Sequence, residues 1–188
     1  MDKKQQILSA ALRLFVANGF DGTPTAKIAI EAAVANGTLF YHYKTKEELI
    51  VSLYNQLKEE QANYILPIIS GPGFITDKFR NIFIQSVHWA LSNPDKFYYI
   101  QQFNFSPHLA QVPKEVLKQQ TIIYADFIEE GVKRKLLKQQ DPDLIIALFN
   151  GQVYGIYHYL TSGEFTPALH EKTINDSYEM VWDMMKYM

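Results

Sequence analysis

The sequence predicts an all-α chain: a three-helix head followed by a larger helical body, about nine helices in all. Two observations carry that class. Apolar residues recur at spacings of three and four along segment after segment, and no alternating apolar–polar run survives to mark a strand. Between those segments, Asn, Asp or Thr followed by Pro marks helix starts, and Asn-Gly or Gly-Pro-Gly marks helix stops.

The first helix places Ile7, Ala10, Ala11, Leu14 and Phe15 on one face and stops at Asn18-Gly19. The stretch Thr25 to Leu49, TAKIAIEAAVANGTLFYHYKTKEEL, then holds two short helical segments and the start of a third. In the first, Ile28, Ala29, Ala32 and Ala33 form a small apolar face. A break at Ala33 to Ala35 leads into Asn36-Gly37-Thr38-Leu39-Phe40-Tyr41-His42-Tyr43, polar at its start and aromatic at its end. Thr45, with Glu48 three residues on, has the spacing of a capping box and opens the next helix. Two short helices around a tight break, the second presenting a polar start, are the layout of a helix-turn-helix reader.

The helix after Thr45 carries Leu49, Ile50, Leu53, Tyr54 and Leu57 and runs toward Leu66-Pro67. Gly71-Pro72-Gly73 is the clearest breaker and is read as a domain seam. Phe79, Ile82, Phe83, Val87, Ala90 and Leu91 make an amphipathic helix, and Asn93-Pro94 starts the next. Pro113 opens a long segment through Val116, Leu117, Tyr124, Phe127, Ile128 and Leu136, and Asp141-Pro142 and Thr166-Pro167 open the last two helices. In the penultimate helix Ala147, Gly151 and Gly155 form a stripe of small residues flanked by Leu144, Leu148 and Ile156. Spacing alone leaves open whether that stripe packs inside one chain or against a second copy.

The run from Ile28-Ala29 and Ala32 through Val34, Gly37-Thr38-Leu39-Phe40-Tyr41-His42-Tyr43-Lys44 and Lys46-Glu47-Glu48-Leu49 resembles the DNA-binding signature of the tetracycline-repressor (TetR/AcrR) family. Leu14-Phe15, Gly19-Phe20 and Thr23 fit the same pattern, so the resemblance covers about the first fifty residues. It implies a DNA-binding domain at 1–48, with the helix-turn-helix at about 24–43, and an effector-binding and dimerisation body at 49–188. It further implies that Thr25, Tyr41 and Lys46 contact phosphates while Asn36, Gly37, Thr38 and His42 face the groove. Asn36 is the best base reader by chemistry, because its amide can bond adenine bidentately. The implied partners are a palindromic double-stranded operator, a second copy joined through the last two helices, and a small effector.

Three positions depart from the family pattern. Ala33 stands where Gly is usual, Ala35 where Ser is frequent, and Asn36 where Lys or Arg is frequent. Alanine at positive φ would cost roughly 1–2 kcal/mol, so the turn is expected to be built from residues at negative φ. Losing a hydroxyl and a positive charge weakens non-specific affinity without arguing against DNA binding.

Composition sets outer limits. Of 188 residues, 47% are apolar and 20% charged, a soluble globular balance. No run approaches the ~18 apolar residues of a membrane span and the N-terminus lacks an apolar signal core, so a cytoplasmic protein is expected. With no cysteine, disulfides and thiolate metal sites are excluded. The net charge of −2 does not by itself point to nucleic acid. Residues 1–50 carry six basic groups, Lys3, Lys4, Arg13, Lys27, Lys44 and Lys46, against five acidic ones, and the remainder is net acidic. The motif, not the charge, carries the DNA inference.

Little supports an enzyme. His42, His88, His108, His158 and His170 are scattered without metal-ligand spacing, and neither a phosphate loop nor a nucleophile motif is present. No cofactor or metal is expected. Aromatic residues are abundant at 14% and concentrate in the body. Most serve a core of large side chains, yet Trp89, Phe103, Tyr124, Phe127 and Tyr154 are candidates for lining a mostly apolar pocket with a few polar anchors. Sparse charge among them suits a neutral, apolar or aromatic molecule. The expected function is therefore a dimeric, ligand-released repressor. The alternatives are a regulator of eroded DNA affinity acting through protein contacts, and a helical small-molecule carrier or enzyme.

Overall fold

The computed structural model describes residues 2–187, and among these the chain is all-helical, with nine α-helices and one 3₁₀ turn. They are α1 (Lys3–Asn18), α2 (Thr25–Glu31), α3 (Asn36–His42), α4 (Lys46–Ser70), α5 (Ile75–Ser92), α6 (Pro94–Asn104), α7 (Lys114–Lys133), α8 (Pro142–Ser162) and α9 (Pro167–Met185), with the 3₁₀ turn at Pro107–Gln111. The helices divide into two compact units. One is the chain up to Glu60 together with Asn93–Val116; the other is Gln61–Ser92 together with the chain from Leu117 on.

In the first unit the periodic residues of α1, Ile7, Ala10, Ala11, Leu14 and Phe15, are buried with Ile28 and Ala29 of α2, Leu39 of α3 and Leu49, Ile50, Leu53 and Leu57 of α4. The C-terminal end of α1 is closed by Gly19 at φ +73° and by buried Thr23, whose Oγ1 reaches the carbonyls of Leu14 (3.1 Å) and Gly19 (2.8 Å). Helix α6 joins this unit through its aromatic residues. Phe20 meets Tyr99 edge-on at 5.5 Å and Phe103 at 6.4 Å, and its ring also abuts His108 at 5.1 Å. Tyr99 donates its hydroxyl to the Ile50 carbonyl (2.8 Å), and Phe103 stacks on Tyr54 at 3.9 Å.

In the second unit α5 lies against α8 and α9. Phe83 contacts Phe149 and Tyr178, while Phe79 packs on Phe127 of α7 at 4.5 Å and on Trp182 at 5.9 Å. Arg80 crosses from α5 to Asn175 (2.5 Å) and lies over the Tyr178 ring. The start signals before α8 and α9 cap as expected: Asp141 accepts from the Asp143 N–H and Thr166 from the Leu169 N–H.

Three boundaries differ from the sequence reading. Helix α4 does not stop at Leu66-Pro67 but runs through Pro67 to Ser70; proline removes one N–H there, and the turn continues to Gly71, whose N–H bonds the Pro67 carbonyl (3.0 Å). Gly71-Pro72-Gly73 separates α4 from α5 yet lies inside the second unit, so it is not a seam between units. Helix α7 ends at Lys133, short of Leu136, because Lys135 turns to φ +57°. That turn brings Leu137 into an antiparallel bridge with Lys186, extended by Lys138 N–H to the Met185 carbonyl (2.9 Å).

Candidate nucleic-acid interface

The turn between α2 and α3 is the first feature of the site to differ from expectation. Ala33 sits at φ +52°, so the positive-φ position usually given to glycine is kept and occupied by alanine. Two hydrogen bonds define the stop: Val34 N–H to the Ala29 carbonyl and Ala33 N–H to the Ile30 carbonyl, both 3.0 Å. This is the six-to-one and five-to-two pair of a Schellman motif, which satisfies carbonyls the end of α2 would otherwise leave bare and offsets the alanine strain. Ala33 is accordingly exposed and lies off the buried face formed by Ile28, Ala29 and Ala32.

Helix α3 begins at once. Ala35 is its N-cap, extended at φ −65° and ψ 146°, and offers no side-chain acceptor to the first turn. Its carbonyl takes the Thr38 N–H at 2.9 Å. Leu39, fully buried, fixes the inner face. Asn36, Gly37, Phe40 and Tyr41 are exposed, and Thr38 and His42 are half-buried on the other flank. Tyr41 keeps 74% of its surface in solvent, against 38% for Phe40. Lys44 Nζ lies over the Tyr41 ring at 5.8 Å, adding a cation to this surface that the sequence reading did not single out. An i to i+3 spacing of Tyr and Lys spanning a helix end was the available signal.

Tyr43 ends α3 and turns inward, 2% exposed, with its hydroxyl buried and without a hydrogen-bond partner. Burial, reinforced by the charges of Glu48 and Asp2, pushes that phenol up to about 12. The start of α4 is capped in both directions. Thr45 Oγ1 accepts the Glu48 N–H (3.0 Å), and Glu48 Oε2 accepts the N–H of Lys44 (2.7 Å), one residue before the cap. Half-buried Lys46 is thereby held at the first position of α4, and Thr25, also half-buried, opens α2. The seven expected contacts thus all fall within α2, α3 and the first turn of α4, in one unit.

The sequence profile described as bacterial regulatory proteins, tetR family, matches residues 7–53. A second, described as the tetracyclin repressor-like C-terminal domain, matches residues 69–187. The chain belongs to the tetR family. A tetR family structure from Shewanella sp. PV-4 superimposes with a TM-score of 0.90 at 30% identity, covering 100% of both chains. The fatty acid metabolism regulator protein of Bacillus subtilis strain 168 is 36% identical over 63 residues, which is 34% of this chain and 31% of that protein. The chain therefore spans about a third of that curated relative's length. A third comparison, AibR solved with isovaleryl coenzyme A and operator DNA, has a TM-score of 0.73 at 20% identity, covers 96% of this chain and 98% of that one, and shares the fold. The family is one of transcription regulators and not of enzymes.

The five residues expected to line an effector pocket are divided. Phe103 lies in the first unit, buried and stacked on Tyr54; Trp89, Tyr124, Phe127 and Tyr154 lie in the second. Trp89 and Phe127 are buried, Tyr124 is half-buried and Tyr154 is exposed. Burial raises the Tyr124 phenol to about 12, so it acts as a neutral hydroxyl. A recess of about 530 Å³ at the α8–α9 turn is lined by Leu160, Gly163, Glu164, Phe165, Thr166 and His170, none of which the sequence had put forward. Among the described residues no helix is long and apolar enough to cross a membrane, and no cluster of three or more His, Asp or Glu could hold a metal ion.

Proposed function

We propose that the chain is a homodimeric, cytoplasmic repressor that holds a palindromic double-stranded operator and is released from it by a small effector. The observation that carries this reading is the α2–α3 pair, closed by a Schellman turn and presenting Asn36, Gly37, Phe40 and Tyr41 to solvent, with half-buried Lys46 at the capped start of α4. Asn36 is the base reader, with Gly37, Thr38 and His42 facing the major groove. Thr25, Tyr41 and Lys46 hold phosphates on either side. In functional terms the head is 1–48, with the helix-turn-helix at about 24–43, and the body is 49–188.

The dimer is assigned to α8 and α9. Ala147, Gly151 and Gly155 are exposed, an alanine-sized side chain at either glycine would meet nothing within 4 Å, and Leu144 and Leu148 stand exposed beside them. Met180 and Met184 of α9 are open as well. An effector of neutral, mostly apolar or aromatic character is assigned to the body, with Trp89, Tyr124, Phe127 and Tyr154 of the second unit as lining candidates. A chain of this fold has been solved with both isovaleryl coenzyme A and operator DNA, so the fold accommodates a small molecule as well as a duplex. Ligand binding in the body would favour a head spacing that no longer matches the half-sites, a coupling between two states of the dimer.

The test is binding of the purified protein to duplexes selected from a random library, repeated at two salt concentrations. Salt-dependent binding to a palindrome is expected. No salt-dependent binding to any duplex would overturn the reading in favour of a regulator that works through protein contacts, its DNA affinity eroded at Ala33, Ala35 and Asn36.

A further inference from the structure

We infer that α3 reads an A·T core within each half-site, with Phe40 as a specificity-determining residue that covers a thymine 5-methyl group next to the adenine bonded by Asn36. This rests on the DNA reading above and names which bases that site takes. Asn36 and Phe40 are one helical turn apart and share a face of α3. Both are exposed, and Phe40 keeps 38% of its surface in solvent although its side chain has no group that water or a phosphate could bond. Against DNA, such a ring gains only by covering apolar surface, and the methyl of thymine is the apolar feature of the major-groove edge.

Two further observations narrow the choice. Helix α3 contains no Arg or Lys, the side chains that bond guanine O6 and N7 together; its amide, Asn36, pairs instead with adenine N6 and N7. Between Asn36 and Phe40 lies Gly37, where an added Cβ would meet no atom within 4 Å and where φ is not positive. Neither internal packing nor backbone conformation therefore asks for glycine at that position. It costs an exposed helix about 1 kcal/mol against alanine. A bare patch beside Asn36 and Phe40 lets the helix backbone come close to a flat base-pair edge and brings both side chains within reach of it.

The experiment replaces thymine by deoxyuridine, one position at a time, in the duplex selected by the wild-type protein. This removes the 5-methyl group and keeps every hydrogen bond. At one position per half-site the substitution is expected to weaken wild-type binding about fourfold, the equivalent of one buried methyl group. It should leave Phe40→Ala unaffected at that position, and Asn36→Ala should relax preference at the adjacent base pair. The deoxyuridine arm uses unmodified protein, so absence of weakening at every thymine overturns the inference even where Phe40→Ala unfolds the head. A selected half-site with G·C pairs under these residues overturns the inference and leaves the DNA reading intact. So does a deoxyuridine effect of equal size in wild type and a folded Phe40→Ala. Absence of salt-dependent binding to any duplex removes the DNA reading itself, and the inference with it.

Discussion

Ala33 at φ +52° is an L-residue in left-handed backbone, held there by the two Schellman hydrogen bonds that end α2. Glycine adopts this conformation without the clash between Cβ and the carbonyl, at the cost of more freedom in the unfolded chain. Ala33→Gly is therefore expected to stabilise the head by about 0.5–1 kcal/mol; a urea melt that shifts downward would mean the turn is not strained. Tyr43 gives a second test. Its buried hydroxyl has no partner and its ionisation is raised to about 12 from 10.0, first by burial and then by Glu48 and Asp2. The folded state keeps this proton up to about pH 12 while the unfolded chain releases it near 10, so the stabilisation is complete below pH 10 and fades as pH rises toward 12. Tyr43→Phe should hold or raise stability at neutral pH, since it deletes an orphaned polar atom. It should also shallow the alkaline decline measured by melts at pH 9 and 11, in part only, because burial raises Tyr54, Tyr99, Tyr124 and Tyr178 too.

Among the helices, starts were far more legible than stops and partners. Asp141-Pro142 and Thr166-Pro167 cap as their residue types dictate, and Thr45 with Glu48 closes both hydrogen bonds at the start of α4. These signals are local, so sequence carries them. The stop at Lys135 is not local: Leu137 is drawn into a bridge with Lys186, nearly fifty residues away. The same holds for α6, which joins the first unit, where Phe20 meets Tyr99 and Phe103. In the candidate interface the residue types and their helices were legible, whereas Phe40 became informative only when its exposure was seen. Helix α3 itself starts on Ala35, whose side chain caps nothing; Ala35→Ser should supply the missing acceptor and add about 1 kcal/mol to stability. At the same scale, Lys46→Ala should weaken binding to all duplexes about equally and lower the salt slope by roughly one unit. Asn36→Ala should instead relax preference at one base position, costing about 1–3 kcal/mol against the best site. If Asn36→Ala lowers affinity uniformly while Lys46→Ala changes base preference, reader and clamp are exchanged.

For the molecule as a whole, the proposed operator geometry depends on a second copy. One head covers one half-site, and two heads meet successive major grooves only when the dimer sets them about one helical turn of DNA apart, ~34–36 Å, or a multiple of that. The exposed face of α8 is the surface on which this spacing is proposed to be built. Leu144 and Leu148 are large apolar residues left open in the single chain, and Ala147, Gly151 and Gly155 leave a shallow track beside them. Small residues let two helix backbones approach closely, and large ones beside them then fill the gap. Gly151→Leu adds a branched side chain in the middle of that track. Within one chain it meets open space, since a Cβ at Gly151 has no neighbour within 4 Å, so folding and helix content should be unchanged or slightly improved. Between two chains it holds the helices apart and should shift sedimentation at micromolar protein from dimer toward monomer. Operator affinity should fall with it, because each head alone retains only its own half-site contacts. A variant that stays dimeric, with unchanged melting temperature, would place the interface elsewhere than on the Gly151 face of α8.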